Sequence, residues 1–389
     1  MKCTSALSTT KNSTLAFNDL TDRVAKDLAG EPGTIAVAFV SAHHAQALGE
    51  LARLCKEKRI AEHFLAVTGE TIVGEGQEIE GAAAASLWAI RLPQCITIRP
   101  VRLVWTDGGL TGLPPEIASV GAAKRTMLLL ADPYSFPTDR MFLDLEREAP
   151  GLSVVGGMAS GSNTPGGNRL VLNGQVFSDG AVGWILDGPL AIRTIVSQGC
   201  RPVGRPMLVT KSEGNLIHEL GRRPAIEVLR ETYDSLNEDD QELIRHGLHV
   251  GRVINEYQES FGRGDFLIRN VMGTDDTGGI AITDMVRVGQ TVQFHVRDAA
   301  TADEDLRLLL AQDLEKHPRS TVAGGLLFSC NGRGTRLFSA PHHDAQVIQS
   351  LYGDIPVAGF FAMGELVRVG GKIFVHGFTA SLALFTVEG

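Results

Sequence analysis

The sequence predicts an α/β protein: mixed β-sheets packed together and covered by helices, built from duplicated strand–helix–strand–strand units. Three observations predict it. Short apolar runs of strand length alternate with helical stretches along most of the 389 residues. Glycine is abundant, at 44 residues, and many glycines lie in pairs or at the ends of apolar runs. Short stretches also recur in similar order. Ser41-Ala-His-His-Ala-Gln46 returns as Ser339-Ala-Pro-His-His-Asp-Ala-Gln346, and Val155-Gly-Gly-Met-Ala-Ser-Gly161 as Ala358-Gly-Phe-Phe-Ala-Met-Gly364. Asn173-Gly-Gln-Val-Phe177 returns as Gly370-Gly-Lys-Ile-Phe374.

Taken in order, Asn18 to Gly30 reads as a first helix, capped by Asn18 and stopped by Gly30, with Pro32 beyond. Thr34 to Val40 is a buried strand, and Ser41 opens a helix running to about Lys58. His63 to Gly74 is a strand entering a glycine turn, followed by strands at Ser86 to Leu92 and Thr97 to Val104. The order then repeats with a strand at Arg125 to Ala131, a helix at Thr138 to Glu148 and a strand at Ser153 to Gly161. Arg169 to Phe177 is a hairpin about an Asn-Gly turn, with strands at Ala181 to Leu186 and Ala191 to Val196.

A new section begins near Cys200. Pro206 to Leu220 is a hairpin turning at Glu213-Gly-Asn215, and Pro224 to Glu231 is a helix with proline in its first turn. Asn237 to Glu242 is a solvated helix start, and short strands follow at Phe266 to Arg269, Gly279 to Thr283 and Val292 to Arg297. Thr301-Ala-Asp-Glu304 is a capping box, opening a helix striped by Leu306, Leu309, Leu310 and Leu314. From Thr321 the early order returns.

The formal net charge of −9 and the lack of any Lys/Arg-rich run argue against a nucleic-acid partner. No apolar stretch reaches the roughly 18 residues of a membrane span, so no membrane insertion is expected. Residues 1–15 lack the apolar core of a signal peptide and read as a disordered tail. Five scattered cysteines without a CxxC suit a reducing cytoplasm, not a disulfide framework or a zinc site.

The chemistry concentrates in Leu326-Leu-Phe-Ser-Cys-Asn-Gly-Arg-Gly334, answered by Pro356-Val-Ala-Gly-Phe-Phe-Ala-Met-Gly-Glu365. Each is an apolar run ending in polar residues, where an α/β sheet edge places ligands. Arg333 has the fork for a carboxylate and Glu365 the charge for an ammonium group. Cys330, Asn331, Gly334, Gly364, Ser160 and Gly161 complete the candidate ligand-binding set. The structural alternative is that Arg333 and Glu365 pair with each other and Cys330 fills core. A catalytic Cys330 needs a base, for which His342 and His343 are candidates. Adjacent histidines point apart on a helix or strand, so His342, His343 and Asp344 do not make a metal site. Gly156 and Gly161 have the glycine spacing of a phosphate loop, but Ser162 stands where its lysine belongs, and no G-x-G-x-x-G opens a helix after a strand. No cofactor and no metal is therefore expected.

These residues, together with Asp179-Gly-Ala-Val-Gly-Trp184, Ser197-Gln-Gly-Cys-Arg-Pro202 and Val209 to Leu220, resemble the FIST family, named for F-box and intracellular signal transduction proteins. The resemblance covers most of the chain. It implies a FIST N-terminal-like domain over 16–199 and a C-terminal-like domain over 200–389. It further implies a non-catalytic sensory protein for a small-molecule ligand, amino acids or related metabolites being the class, with a signalling protein as partner. It carries no established catalytic residues. The alternative is an enzyme using Cys330 in acyl-transfer or thiol redox chemistry.

Overall fold

The structure, a computed structural model, describes residues 1–118, 125–262, 264–369 and 371–386. Gly370, at the head of one recurring stretch, lies outside the described residues. The chain divides into two compact units. One comprises Met1–Val196, Arg307–Val375 and the chain from Thr379 on; the other comprises Ser197–Leu306 with His376–Phe378.

The larger unit is mixed α/β, as predicted. Its three sheets share one strand order. In the first, Gly33–Ser41 lies parallel to Ala61–Gly69 and antiparallel to Ala85–Arg91. Arg125–Ala131 stands likewise between Ser153–Met158 and Ala181–Asp187, and Val322–Cys330 between Val357–Ala362 and Thr379–Thr386. The hairpin that follows each parallel pair leaves for another sheet. Ile72–Gly74 pairs with Val357–Ala362, Leu170–Leu172 with Ala61–Gly69, and Glu365–Val369 with Ser153–Met158. The strands after the first two antiparallel partners also cross: Thr97–Thr106 joins Ala181–Asp187, and Ala191–Gln198 joins Thr379–Thr386.

The three sheets enclose one apolar core. At its centre Phe39 stacks on Phe360 at 5.4 Å, and Phe328 meets both rings edge-on at 6.3 and 6.0 Å. Helices Ser13–Asp27 and Leu48–Glu57 cover the outer face of the first sheet, and Thr138–Glu148 that of the second. The helix His343–Tyr352 buries Ala345, Val347, Ile348 and Tyr352. The recurring glycines have a packing cause: a Cβ on Gly156 would stand 1.8 Å from the Leu129 carbonyl oxygen, and one on Gly359 1.9 Å from that of Leu327. Only glycine allows these neighbouring strands to approach so closely.

Three expectations change. Residues 2–8, read as tail, form the strand Lys2–Ser8 along Ala85–Arg91, with Thr4, Ala6, Leu7 and Ser8 buried. Its few apolar residues hide it in the sequence, since the pairing comes from a distant strand. The first helix starts earlier, at Ser13, because Asn12 accepts from the Leu15 N–H at 3.0 Å, while Asn18 donates to the Thr14 carbonyl inside the helix. The helix Ala299–Lys316 already contains Thr301, and its first turn is capped by Asp298, which accepts from the Thr301 N–H at 3.1 Å.

The smaller unit is a sheet of antiparallel pairs built on Cys200–Glu213, Thr291–Arg297, Leu248–Val253 and Phe266–Thr274. Helices Ala225–Asp234 and Glu238–His246 pack on one face through Val228, Leu229, Leu243 and Ile244.

Candidate functional site

The turn after Val322–Cys330 carries Arg333, which is 1 % exposed. A guanidinium so deeply buried requires a partner. That partner is Asp344, in the first turn of His343–Tyr352: Arg333 Nε and Nη2 donate to its Oδ2 and Oδ1 at 2.6 and 2.7 Å. Ser329 Oγ donates to Asp344 Oδ2 at 2.9 Å, and His343 Nδ1 lies 3.0 Å from Oδ1. The Phe338 ring lies beneath the guanidinium, 5.3 Å from centroid to Cζ, and stacks on His343. Arg333 therefore pairs with Asp344 and not with Glu365, and the fork expected to grip a ligand carboxylate is already filled.

Two further carboxyls share the field of this pair. Glu78 arrives on the crossing strand Gln77–Ile79; its Oε1 accepts from the Ala345 N–H at 2.9 Å, and its backbone is held by His342 Nδ1. Glu365 opens Glu365–Val369, and its Oε2 accepts from Thr379 Oγ1 at 2.6 Å. Burial, then the negative charge of Asp344, pushes Glu78 up to about 8, against the pull of the Ala345 N–H and Arg333. Burial likewise pushes Glu365 up to about 8, against Thr379 and Arg333. Burial would raise Asp344 too, but Arg333 and His343 outweigh it and hold that carboxyl well below the usual range. Among the described residues, Arg333 Nη1, Glu78 Oε2, Glu365 Oε1 and Asn331 Oδ1 are buried with no hydrogen-bond partner. Such atoms cost about 1–3 kcal/mol each, so a fold that keeps one on the buried guanidinium and three more in its neighbours has a use for them.

The other expected residues frame this cluster. Cys330 is half-buried, and its sulfur accepts from the Gly332 N–H at 3.4 Å. The Asn331 N–H donates to the Ala362 carbonyl at 3.0 Å. Gly334 has φ +61°, and a Cβ there would stand 2.7 Å from Glu80 Oε1 and Phe361 Cε2. Thr335 pins the same turn to both oxygens of Glu80, at 3.0 and 2.7 Å. Gly364 accepts from the Met158 N–H at 2.9 Å. Ser160 and Gly161 hold the framework together: Ser160 Oγ donates to the Phe361 carbonyl and accepts from the Glu70 N–H, and Gly161 leaves no room for a Cβ beside Thr68. Sequence reasoning missed Glu78, Ser329, Phe338 and Thr379, and it weighed Asp344 only as a metal ligand. Among the described residues no three or more His, Cys, Asp or Glu side chains are arranged so that they could hold a metal ion. No helix among them is long and apolar enough to cross a membrane.

The FIST N domain matches residues 34–223 and the FIST C domain residues 225–368. An uncharacterized protein of Mycobacterium bovis is 39 % identical over 378 residues, spanning 97 % of each chain. One of Mycobacterium tuberculosis is 41 % identical over 363 residues, spanning 92 % of this chain and 93 % of its own. A third, from Methanocaldococcus jannaschii, is 23 % identical over 190 residues, 49 % of this chain and 35 % of its own.

Proposed function

The chain belongs to the FIST family, and from that premise we propose that it is a non-catalytic sensory protein whose Arg333 cluster binds a small ammonium-bearing ligand, an amino acid or related metabolite. FIST domains are associated with signal transduction and small-ligand sensing. The observation that carries the finer reading is the charge count of the cluster: one guanidinium, Arg333, serves three buried carboxyls, Asp344, Glu78 and Glu365. Asp344 takes the guanidinium. Glu78 and Glu365 are left to hold protons or to share an external cation, and an ammonium group supplies three donors for their unpaired oxygens. Arg333 Nη1 supplies one donor for the carboxylate of such a ligand, in place of the bidentate grip. Asn331, Gly334, Gly364 and Cys330 shape the surrounding turns. The reading carries with it a cytoplasmic site of action and a signalling protein as downstream partner.

Calorimetry of the full chain with a panel of amino acids tests this. One group of amino acids is expected to bind, more weakly as pH falls from about 8 to 6.5 and the two glutamates take up protons. Glu365→Gln is expected to weaken binding by about tenfold or more. Heat-silent titrations across the whole panel overturn the ligand class.

One observation favours the enzyme alternative: the half-buried Cys330 thiol lies in the field of both Arg333 and Arg336. Turnover of a bound ligand that Cys330→Ser abolishes would decide for that reading.

A further inference from the structure

We propose that the open edge of Lys2–Ser8 is a docking site for an extended peptide segment of a partner protein, which adds to the first sheet as a further strand. The site lies outside the Arg333 cluster and does not depend on how that cluster is read.

The ladder fixes which backbone groups of the strand point outward. The Ser41 N–H donates to the Ala84 carbonyl at 2.9 Å, so Ser86, Trp88 and Ile90 turn their backbone groups toward Gly33–Ser41. Leu87, Ala89 and Arg91 therefore turn theirs toward Lys2–Ser8, where they stand opposite Ala6, Thr4 and Lys2. The N–H and C=O groups of the alternate residues, Cys3, Ser5 and Leu7, point away from the sheet. Arg23 Nη1 donates to the Leu7 carbonyl at 2.9 Å and closes that end. The backbone groups of the half-buried Cys3 and Ser5 have no partner among the described residues. Groups left in this way are a template for another strand.

A cavity supplies the second, independent observation. It measures about 480 Å³ and is lined by residues 2–5 in succession. Side chains of a strand alternate between its two faces, so four successive residues on one wall mean that the strand borders the cavity with its edge. Those four residues rise about 13 Å, the length of a short extended segment. Val73, Ile348 and Val357 give the wall apolar surface, and the turn at Gly76 and the neighbourhood of Pro356 complete it. The Pro356 carbonyl accepts from the Gly325 N–H at 2.9 Å and from Trp88 Nε1 at 3.1 Å, so this part of the recess is held in place.

The second sheet indicates the occupant. There Thr97–Thr106 holds the place that Lys2–Ser8 holds in the first, beside the antiparallel partner of the central strand. Its outer edge is covered by Gly109–Thr111, with Val104 opposite Thr111 and Thr106 opposite Gly109. Among the described residues the first sheet has no strand in that position, and the cavity lies along the edge instead. A lone strand fits the recess better than the edge of a second copy, whose own walls would have to enter the same space. Main-chain hydrogen bonds to Cys3 and Ser5 supply affinity, and the apolar wall selects an apolar side chain at every second position.

Calorimetry of the full chain with capped pentapeptides Xaa-Thr-Xaa-Thr-Xaa tests this, Xaa being alanine, valine, leucine, isoleucine or phenylalanine. At least one member is expected to bind saturably below about 1 mM and to slow amide hydrogen exchange in residues 2–8. N-methylation of alternate residues leaves the side chains in place and blocks one edge of the peptide. Of the two alternately methylated forms, one is expected to bind within about twofold of the parent and the other at least about tenfold more weakly. Ser5→Pro removes an outward N–H and no ladder bond, and is expected to weaken binding by about tenfold or more. If Ser5→Pro loses its near-UV circular dichroism, the methylated peptides, which need no variant, carry the test. The proposal is overturned if no member binds, if the two methylated forms bind alike, or if a folded Ser5→Pro binds as the wild type does. A concentration-dependent dimer that Ser5→Pro dissolves also overturns it, since the edge then belongs to a second copy. None of these outcomes bears on amino-acid binding at Arg333.

Discussion

Replacing Glu365 by Gln removes one proton-holding carboxyl from the core, and the consequence is a change in how stability depends on pH. In the unfolded chain a glutamate ionises near pH 4.3; in the fold, burial raises Glu365 to about 8. Between those values the folded chain keeps a proton that the unfolded chain has released. Stability from this group is therefore complete below about pH 4.3 and is lost as pH rises, at about 1.4 kcal/mol per pH unit, until about pH 8. Glu78 acts in the same sense. Three buried histidines oppose it: burial lowers His249, His295 and His376 to about 4, so their contribution is lost as pH falls below about 6.5. These histidines titrate alike in the wild type and in Glu365→Gln, so their contribution cancels in the difference between the two proteins. From pH 6.5 to 8 the wild type is expected to lose about 2 kcal/mol more than Glu365→Gln, whose amide cannot titrate. Urea denaturation followed by tryptophan fluorescence measures this, because Trp88 and Trp184 are fully buried in the unit that holds Glu365. Parallel pH profiles for the two proteins would refute the assignment of a proton to Glu365.

Asp344→Asn leaves Arg333 buried without its carboxylate and is expected to destabilise by about 3–5 kcal/mol, read by urea denaturation at neutral pH. Arg333→Lys loses the planar fork on Asp344 and is expected to destabilise the fold as well as to weaken ligand, so its effect on affinity is interpretable only beside its denaturation curve. Gly334→Ala combines a left-handed φ with a Cβ 2.7 Å from Glu80 and Phe361, and is expected to lower the melting temperature by several degrees, a shift corresponding to about 1–2 kcal/mol. Deleting residues 1–8 removes a paired strand and is expected to lower the melting temperature and expose apolar surface to a hydrophobic dye.

The elements of the larger unit could be read from sequence where a local signal exists. Apolar runs mark Arg125–Ala131 and Val357–Ala362, and Asn173-Gly174 marks the turn of its hairpin. The strand Lys2–Ser8 has no such signal, because its place is set by a partner more than 75 residues away, Ala85–Arg91. The same limit applies to the site. Arg333 and Glu365 were identifiable as polar groups closing buried strands. Their true surroundings were not, because Glu78 reaches Ala345 and His342 on a hairpin from the other end of the chain. Ser160 looked like a pocket residue by its glycine neighbours, yet its hydroxyl is committed to Phe361 and Glu70. Nothing in local sequence reports a hydrogen bond of that span.

The exchange of hairpins among the three sheets has a consequence for how the protein is made. The strand Val357–Ala362 emerges long after Ile72–Gly74, yet it is the partner that strand awaits. Glu365–Val369, later still, completes the edge of Ser153–Met158. Until those segments leave the ribosome, two early strands present open hydrogen-bonding edges beside apolar surface, a state prone to aggregation that chaperones cover. Closing pairs so distant in the chain is slow, and no single strand–helix–strand segment is complete without strands lent by the others. A ribosome stalled before Val357 therefore holds a chain with an unfinished third sheet, and the Arg333 cluster, which needs Glu78 and Glu365 together, assembles only once Glu365 has emerged.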